Sequence, residues 1–275
     1  MNLNGTLFTF GCSMTSYIWP TWADILGKEF NKFENWGRAG GGNGFIFNSV
    51  IECLNKNHIT KDDTVIIMWS GITRHDFYQF NEWGHYHSVF DKNLPLSCPT
   101  GCEIINYAYF AAIEKLLTLS EINFIMLSWM DYTINSKAGN LYKNTLKKIK
   151  KLDFPINRKK IINSSQRNLL DLYERLAGSA WPSLDIIFDY DKKEYSSEIN
   201  EEVNEFIVMV HDNKHLYYDH ISYDMHPTPI EHFNTIHNLF SNVISPSTKN
   251  WIEEIDNNVK LMTPYKFKSH NPERL

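Results

Sequence analysis

The stretch that decides the fold is Thr6-Leu7-Phe8-Thr9-Phe10-Gly11-Cys12-Ser13-Met14-Thr15. Its first five residues are apolar, aromatic or β-branched, which is typical of a short buried strand, and Gly11 marks a turn at the end of that strand. The turn presents Ser13. Because ligands bind at the carboxyl ends of the strands in open α/β sheets, Ser13 is a candidate nucleophile.

A second motif, Tyr223-Asp224-Met225-His226-Pro227, lies near the other end of the chain. A serine is a weak nucleophile at its own pKa, so it requires a base within hydrogen-bond reach, and a carboxylate must hold the tautomer of that base. Asp224 and His226 are close enough in sequence to share one loop before a helix predicted over residues 228–245. The two motifs together predict a catalytic triad of Ser13, His226 and Asp224.

These motifs resemble the conserved blocks of the SGNH (GDSL-like) hydrolases, a flavodoxin-like α/β/α family of esterases and acetylesterases. The matching segments, in the order that the family has them, are residues 11–15, 35–40, 69–74 and 224–227. The resemblance implies that Ser13 is the nucleophile, with His226 as its base and Asp224 as the acid. It also implies an oxyanion hole that contains the backbone N–H groups of Ser13 and Gly40.

The third and fourth segments depart from the family pattern. The third block should contain Gly-x-Asn, but this chain has Gly71-Ile72-Thr73, so the third oxyanion donor is expected to be Thr73 or Asn43, with Arg74 as a further candidate. The family acid usually stands three residues before the histidine. Here Asp224 stands two residues before it.

Three other interpretations concern the same residues. An α/β-hydrolase elbow reads Gly-x-Ser-x-Gly, but here Thr15 replaces the second glycine. The glycine-rich residues 37–44 fit no Gly-x-Gly-x-x-Gly register and no P-loop, which argues against a nucleotide site. Cys12 is an alternative nucleophile, although its neighbour Ser13 would then face away from the site, and a small buried packing residue is the favoured interpretation.

Strands and helices alternate along the chain. Strands are predicted over residues 6–10, 64–69, 122–129 and 185–189, and helices over 21–30, 43–55, 104–118, 164–178 and 228–245. This alternation predicts an α/β fold in three layers, with a parallel sheet and helices on both of its faces. One domain is expected over residues 1–260, with enlarged insertions at about 75–103 and 130–163, followed by a polar tail over 261–275.

The first insertion is rich in aromatic and histidine side chains. They suit either stacking on a sugar ring or packing of the insertion onto the core. The four cysteines form no disulfide framework. Cys98 and Cys102, with His85 and His87 upstream, could hold zinc, but the spacing matches no known site, so a surface loop without a metal is the preferred expectation.

Composition narrows the classes of partner. A formal net charge of −5 provides no electrostatic footprint for nucleic acid. No stretch has the roughly 20 apolar residues of a membrane-spanning helix. The first residues lack the charged and apolar regions of a signal peptide, so a cytoplasmic location is expected, with a virus particle or leaderless export as the alternative.

The resulting hypothesis is a serine esterase that needs no cofactor and removes an acyl group, such as acetyl, from a carbohydrate or another small ester. Two rivals use the same residues. One is a non-catalytic carbohydrate-binding or assembly protein on a retained hydrolase scaffold. The other is an acyltransferase, in which a sugar hydroxyl replaces water.

Overall fold

The computed structural model describes residues 1–17, 19–57, 59–79, 82–86, 99–154, 226–261 and 267–272. Within these ranges, five strands form one sheet and two form a separate antiparallel hairpin. The strands are β1 Thr6–Phe10, β2 Lys32–Asn35, β3 Thr64–Trp69, β4 His75–Gln79, β5 Glu82–Tyr86, β6 Asn123–Ser128 and β7 Lys150–Lys151. The helices are α1 Trp22–Gly27, α2 Asn43–Lys56, α3 Pro99–Leu119, α4 Lys137–Leu141, α5 Lys143–Leu146, α6 Pro229–Phe240 and α7 Pro246–Leu261.

The larger sheet is parallel throughout, and its spatial order is β2-β1-β3-β6-β7. Counted within the sheet, this is the order 2-1-3-4-5 of flavodoxin-like folds, which confirms the predicted class. The carboxyl ends of β1 and β3 flank the topological switch point of such a sheet, where ligands bind. Ser13 follows β1 and Gly71 follows β3, so both segments lie beside this crevice.

Helices cover both faces of the sheet, and each face has its own apolar core. On one face, α2 and α3 bury side chains such as Phe45 and Phe110. On the other face, α1, α6 and α7 bury side chains that include Trp22, Phe233 and Ile252. The three-layer arrangement predicted from the sequence is therefore observed.

Several element boundaries differ from the predicted ones. Helix α3 begins at Pro99 rather than near residue 104, and Cys102 is buried on its first turn. The expectation of a surface loop is therefore wrong for Cys102, because the helix packs this side chain against the core, while Cys98 lies outside the described residues. Helix α7 occupies a region where the sequence predicts no helix.

Other expectations fall outside the described residues or remain predictions. The strand predicted at 185–189 and the helix predicted at 164–178 lie outside them, and the single-domain organisation stays a prediction. Among the described helices, none combines the length and apolarity needed to cross a bilayer. In the same ranges, no group of His, Cys, Asp and Glu side chains is arranged to hold a metal ion.

Candidate active site

Ser13 lies on a tight turn at the end of β1, here called the serine turn (residues 11–16). The carbonyl oxygen of Cys12 closes this turn by accepting the N–H groups of Thr15 at 2.8 Å and Ser16 at 3.1 Å. The Ser13 residue is only 4% exposed. The Cys12 side chain is fully buried in the apolar core beside α1, which confirms that it is a packing residue.

The position of the Thr15 side chain explains why residues 11 and 37 are glycines. A Cβ atom on Gly11 would lie 2.0 Å from Thr15 Oγ1, and one on Gly37 would lie 2.9 Å from Thr15 Cγ2. Such distances are shorter than van der Waals contact, so neither position has room for a side chain. Thr15 thus packs directly between β1's turn and the loop after β2, and the two segments approach each other closely at the switch point.

Gly40 lies in the loop after β2, here called the glycine-rich loop (residues 36–42). Its φ is 78°, in the left-handed region that glycine adopts without steric cost. The loop is bonded to the serine turn, because the N–H of Arg38 donates to the carbonyl oxygen of Gly11 at 3.1 Å. Arg74 holds the other side of the loop through a hydrogen bond from Nη1 to the carbonyl oxygen of Gly41 at 3.1 Å.

Asp76 caps the helix that follows this loop. Its Oδ1 accepts the N–H of Gly42 at 2.7 Å, and its Oδ2 accepts the N–H of Phe45 at 2.8 Å. Burial raises the pKa of the Asp76 carboxyl, although these hydrogen bonds and the charge of Arg74 act in the opposite direction. The sequence does not predict this cap, because Asp76 reaches the start of α2 from the distant strand β4.

Asn43 has a structural role at the start of α2. Its Nδ2 donates to the carbonyl oxygen of Ser70 at 2.9 Å and to Asn106 Oδ1 at 2.7 Å, while its Oδ1 accepts the N–H of Ser70 at 2.7 Å. Both amide hydrogens are engaged, so none is left for an oxyanion. Thr73, the other candidate donor, is half-buried on the turn after β3.

His226 lies against the segment that follows Ser13. Its ring stacks on the ring of Tyr17, with centroids 4.2 Å apart and planes at 11°. The Tyr17 ring also meets Trp19 edge-on at 4.7 Å, and Trp19 Nε1 donates to the carbonyl oxygen of Pro227 at 2.9 Å. These contacts bring the two motifs of the sequence together. Asp224 lies outside the described residues, so its place in the triad stays a prediction.

A second histidine lies close to His226. His232, on the first turn of α6, is fully buried and meets the ring of Phe154 edge-on at 5.1 Å. Burial, with a smaller contribution from the charge of His226, lowers the pKa of His232 to about 3. His232 is therefore neutral at neutral pH, and its position in the sequence predicts no role for it.

No protein-family profile matches the sequence, and no curated protein is significantly similar to it. Among solved structures, the chain is similar to a member of the lipolytic protein G-D-S-L family from Veillonella parvula, with 13% identity, a TM-score of 0.31, and coverage of 54% of this chain and 77% of that one. It is also similar to a putative lipolytic protein of the G-D-S-L family from Desulfitobacterium hafniense, with 17% identity, a TM-score of 0.32, and coverage of 55% and 78%.

Fold and site together define an α/β protein of flavodoxin-like topology. The serine turn lies at its switch point, the glycine-rich loop is hydrogen-bonded to that turn, and His226 stacks on Tyr17 just after the turn.

Proposed function

We propose that this protein is a serine esterase of the SGNH type. The observation that best supports the proposal is the stack of the His226 ring on the ring of Tyr17, because it brings the motif of the candidate base to the segment that follows the candidate nucleophile Ser13. The strand order and the place of Ser13 at the switch point support the same assignment.

The chemistry follows the acyl-transfer pattern of serine hydrolases. Ser13 Oγ attacks the ester carbonyl carbon while His226 removes its proton, and the N–H groups of Ser13 and Gly40 donate to the developing oxyanion. The imidazolium then protonates the departing alcohol. Water hydrolyses the acyl-enzyme in the second half of the reaction, again with His226 as base, and Asp224 orients the imidazole throughout.

The substrate that we propose is an acylated carbohydrate or a related small ester, with acetyl as the acyl group. Aromatic side chains on the β4–β5 hairpin support a sugar as the alcohol part, since aromatic rings stack on sugar rings. Trp83 is already used for packing, because its ring meets Phe45 edge-on at 5.7 Å. Phe77 and Tyr78 are exposed, and the Tyr78 ring meets Trp83 edge-on at 5.5 Å. We propose their solvent-facing surfaces as the place where a sugar ring would stack.

The test is covalent labelling with a fluorophosphonate probe, read by mass spectrometry. We expect the native protein to be labelled at Ser13, Ser13→Ala to be unlabelled, and His226→Asn and Asp224→Asn to be labelled much more slowly because the serine loses its activated base. Ser16→Ala, a buried serine on the same turn, is the matched control and should be labelled like wild type.

The departure in the third block favours one rival, a non-catalytic binding protein on the same scaffold. Two features support this rival. The chain lacks the oxyanion asparagine of the SGNH family pattern, and both amide hydrogens of Asn43 are already donated to Ser70 and Asn106. If wild type is not labelled and does not hydrolyse short-chain aryl esters or acetylated sugars, the esterase proposal is wrong and this rival stands. Labelling of Cys12 with loss of activity in Cys12→Ala, but not in Ser13→Ala, would instead move the nucleophile by one residue.

A further inference from the structure

The C-terminal segment (residues 267–272) lies against the edge strand of the sheet, close behind the candidate active site. The N–H of Asn35, the last residue of β2, donates to the carbonyl oxygen of His270 at 2.8 Å. The His270 ring meets Phe33 edge-on at 5.8 Å, and Phe267 packs near Trp251 of α7 with ring centroids 6.4 Å apart. The sequence predicts only a polar tail here, yet the segment is docked on the fold.

Ser269 is the residue of this segment that enters the interior. It is 9% exposed, and its hydroxyl donates to Asp24 Oδ1 at 2.5 Å and accepts from Asn35 Nδ2 at 2.9 Å. The other carboxylate oxygen of Asp24 accepts the N–H and the hydroxyl of Thr21, each at 3.0 Å. Asp24 is buried on α1, and burial raises the pKa of its carboxyl. Ser269 therefore supplies a donor to a buried carboxyl that depends on its hydrogen bonds.

Asn35 connects this buried group to both halves of the candidate site. Its Nδ2 also donates to the carbonyl oxygen of Thr15 on the serine turn at 2.8 Å. Its Oδ1 accepts the N–H of Gly37 on the glycine-rich loop at 2.9 Å. The Asn35 amide thus links the turn that carries Ser13 to the loop that carries Gly40. Ser269 accepts a hydrogen bond from the same amide on its other side.

We infer that Ser269 is a positioning residue for the reaction proposed above, acting through Asn35 on the spacing between the serine turn and the glycine-rich loop. This inference rests on the proposed esterase function. Without the Ser269 hydroxyl, Asp24 Oδ1 loses its short donor and Asn35 Nδ2 loses an acceptor inside a buried network. Oxyanion donors stabilise a transition state only when they are held at hydrogen-bond distance from it, so small shifts of the loop reduce the rate of acylation.

The test uses the full-length chain with the variants Ser269→Ala, Ser269→Thr and Ser247→Ala. Ser269→Thr retains the hydroxyl, and Ser247→Ala removes an exposed serine of the C-terminal half as a matched control. The two readouts are the second-order rate of fluorophosphonate labelling at Ser13 and the separate values of kcat and KM on a short-chain aryl ester. Circular dichroism establishes that each variant is folded, and Ser269→Cys, close in size but with a weak donor, replaces Ser269→Ala if the latter does not fold.

We expect Ser269→Ala to reduce both the labelling rate and kcat by roughly tenfold with little change in KM, since the loss falls on the transition state. Ser269→Thr should recover most of the rate, and Ser247→Ala should behave like wild type. Unchanged labelling and kcat in a folded Ser269→Ala or Ser269→Cys variant would overturn the inference, as would equal losses in Ser269→Ala and Ser269→Thr. Failure of the wild type to be labelled at all would instead contradict the esterase proposal itself.

Discussion

Thr73 and Asn43 can both donate a hydrogen bond, but the structure gives them different surroundings. The Asn43 amide is buried and fully bonded to Ser70 and Asn106, whereas Thr73 lies half-buried on the turn after β3. Thr73 is therefore the better candidate for the third oxyanion donor of the proposed reaction. Substitutions at the two residues should therefore have different effects. Replacing Thr73 should reduce turnover, and replacing Asn43 should reduce stability.

We expect Thr73→Val to lower kcat by about 10²–10³, the usual cost of removing an oxyanion donor, with little change in the free energy of unfolding. Asn43→Ala should lower the free energy of unfolding by about 2–4 kcal/mol, because it leaves buried partners in Ser70 and Asn106 without their hydrogen bonds. Steady-state kinetics and urea unfolding measure the two effects. A Thr73→Val variant with kcat within a few-fold of the wild-type value would exclude Thr73 as the donor.

In the turn after β1, the Thr15 side chain packs so closely on Gly11 and Gly37 that neither position has space for a Cβ atom. A Cβ on Gly11 would lie 2.0 Å from Thr15 Oγ1, so Gly11→Ala should destabilise the fold by about 1–3 kcal/mol through overpacking. Thr15→Ala removes Oγ1, the nearest obstructing atom, but it relieves the overlap only in part, because the Cβ of residue 15 would remain 2.8 Å from the added Cβ. The double variant should therefore be more stable than the sum of the two single effects predicts, and a double-mutant cycle from urea unfolding measures this coupling. Strictly additive effects would show that Thr15 Oγ1 is not the atom that makes an alanine at position 11 unfavourable.

The elements that the sequence predicts well are those with a strong local pattern. Strand β3 is an unbroken apolar run that is buried along its whole length, and α2 follows a glycine-rich break. Strand β2 has only four residues, with exposed Lys32 at its start, because it is the edge of the sheet. Its alternation is too short to distinguish it from a loop, so the sequence does not predict it.

The residues of the candidate site also fall into two groups, those that a local sequence motif predicts and those that it does not. Ser13 and His226 belong to short motifs that can be recognised locally, and the stack of His226 on Tyr17 brings the second motif to the segment after the first. Asp76 and Ser269 belong to no motif. Each acts on a segment far away in the sequence, one at the start of α2 and the other at Asp24, and only the folded chain shows these pairings.

The end of the chain returns to its beginning at several points around the site. Trp19 bonds to Pro227, Glu29 accepts hydrogen bonds from Ser245, and the C-terminal segment reaches Asp24. The helices α6 and α7 also supply much of the apolar core on one face of the sheet. The geometry around Ser13 therefore depends on contacts between both ends of the chain, and a change in global stability will also affect the segments around Ser13.

His232 links that global stability to pH. Its folded-state pKa of about 3 lies well below the ordinary value of about 6.5, because the residue is fully buried. Between these two values the unfolded chain binds a proton at this position and the folded chain does not. The free energy of unfolding therefore decreases as pH falls through this window, by up to about 1.4 kcal/mol per pH unit. Above about pH 6.5 the histidine is neutral in both states and this loss of stability is absent.

We expect His232→Leu to reduce this loss of stability at acid pH. Neither ring nitrogen of His232 has a hydrogen-bond partner within the described residues, so an apolar side chain of similar size removes the titrating group without breaking a bond. Urea unfolding between about pH 5 and 7 should show a flatter dependence for His232→Leu than for wild type, by up to about 1.4 kcal/mol per pH unit. His237→Gln, an exposed histidine on the same helix, is the control and should keep the wild-type slope. If His232→Leu also keeps that slope, then His232 is not the group that makes stability depend on pH in this range.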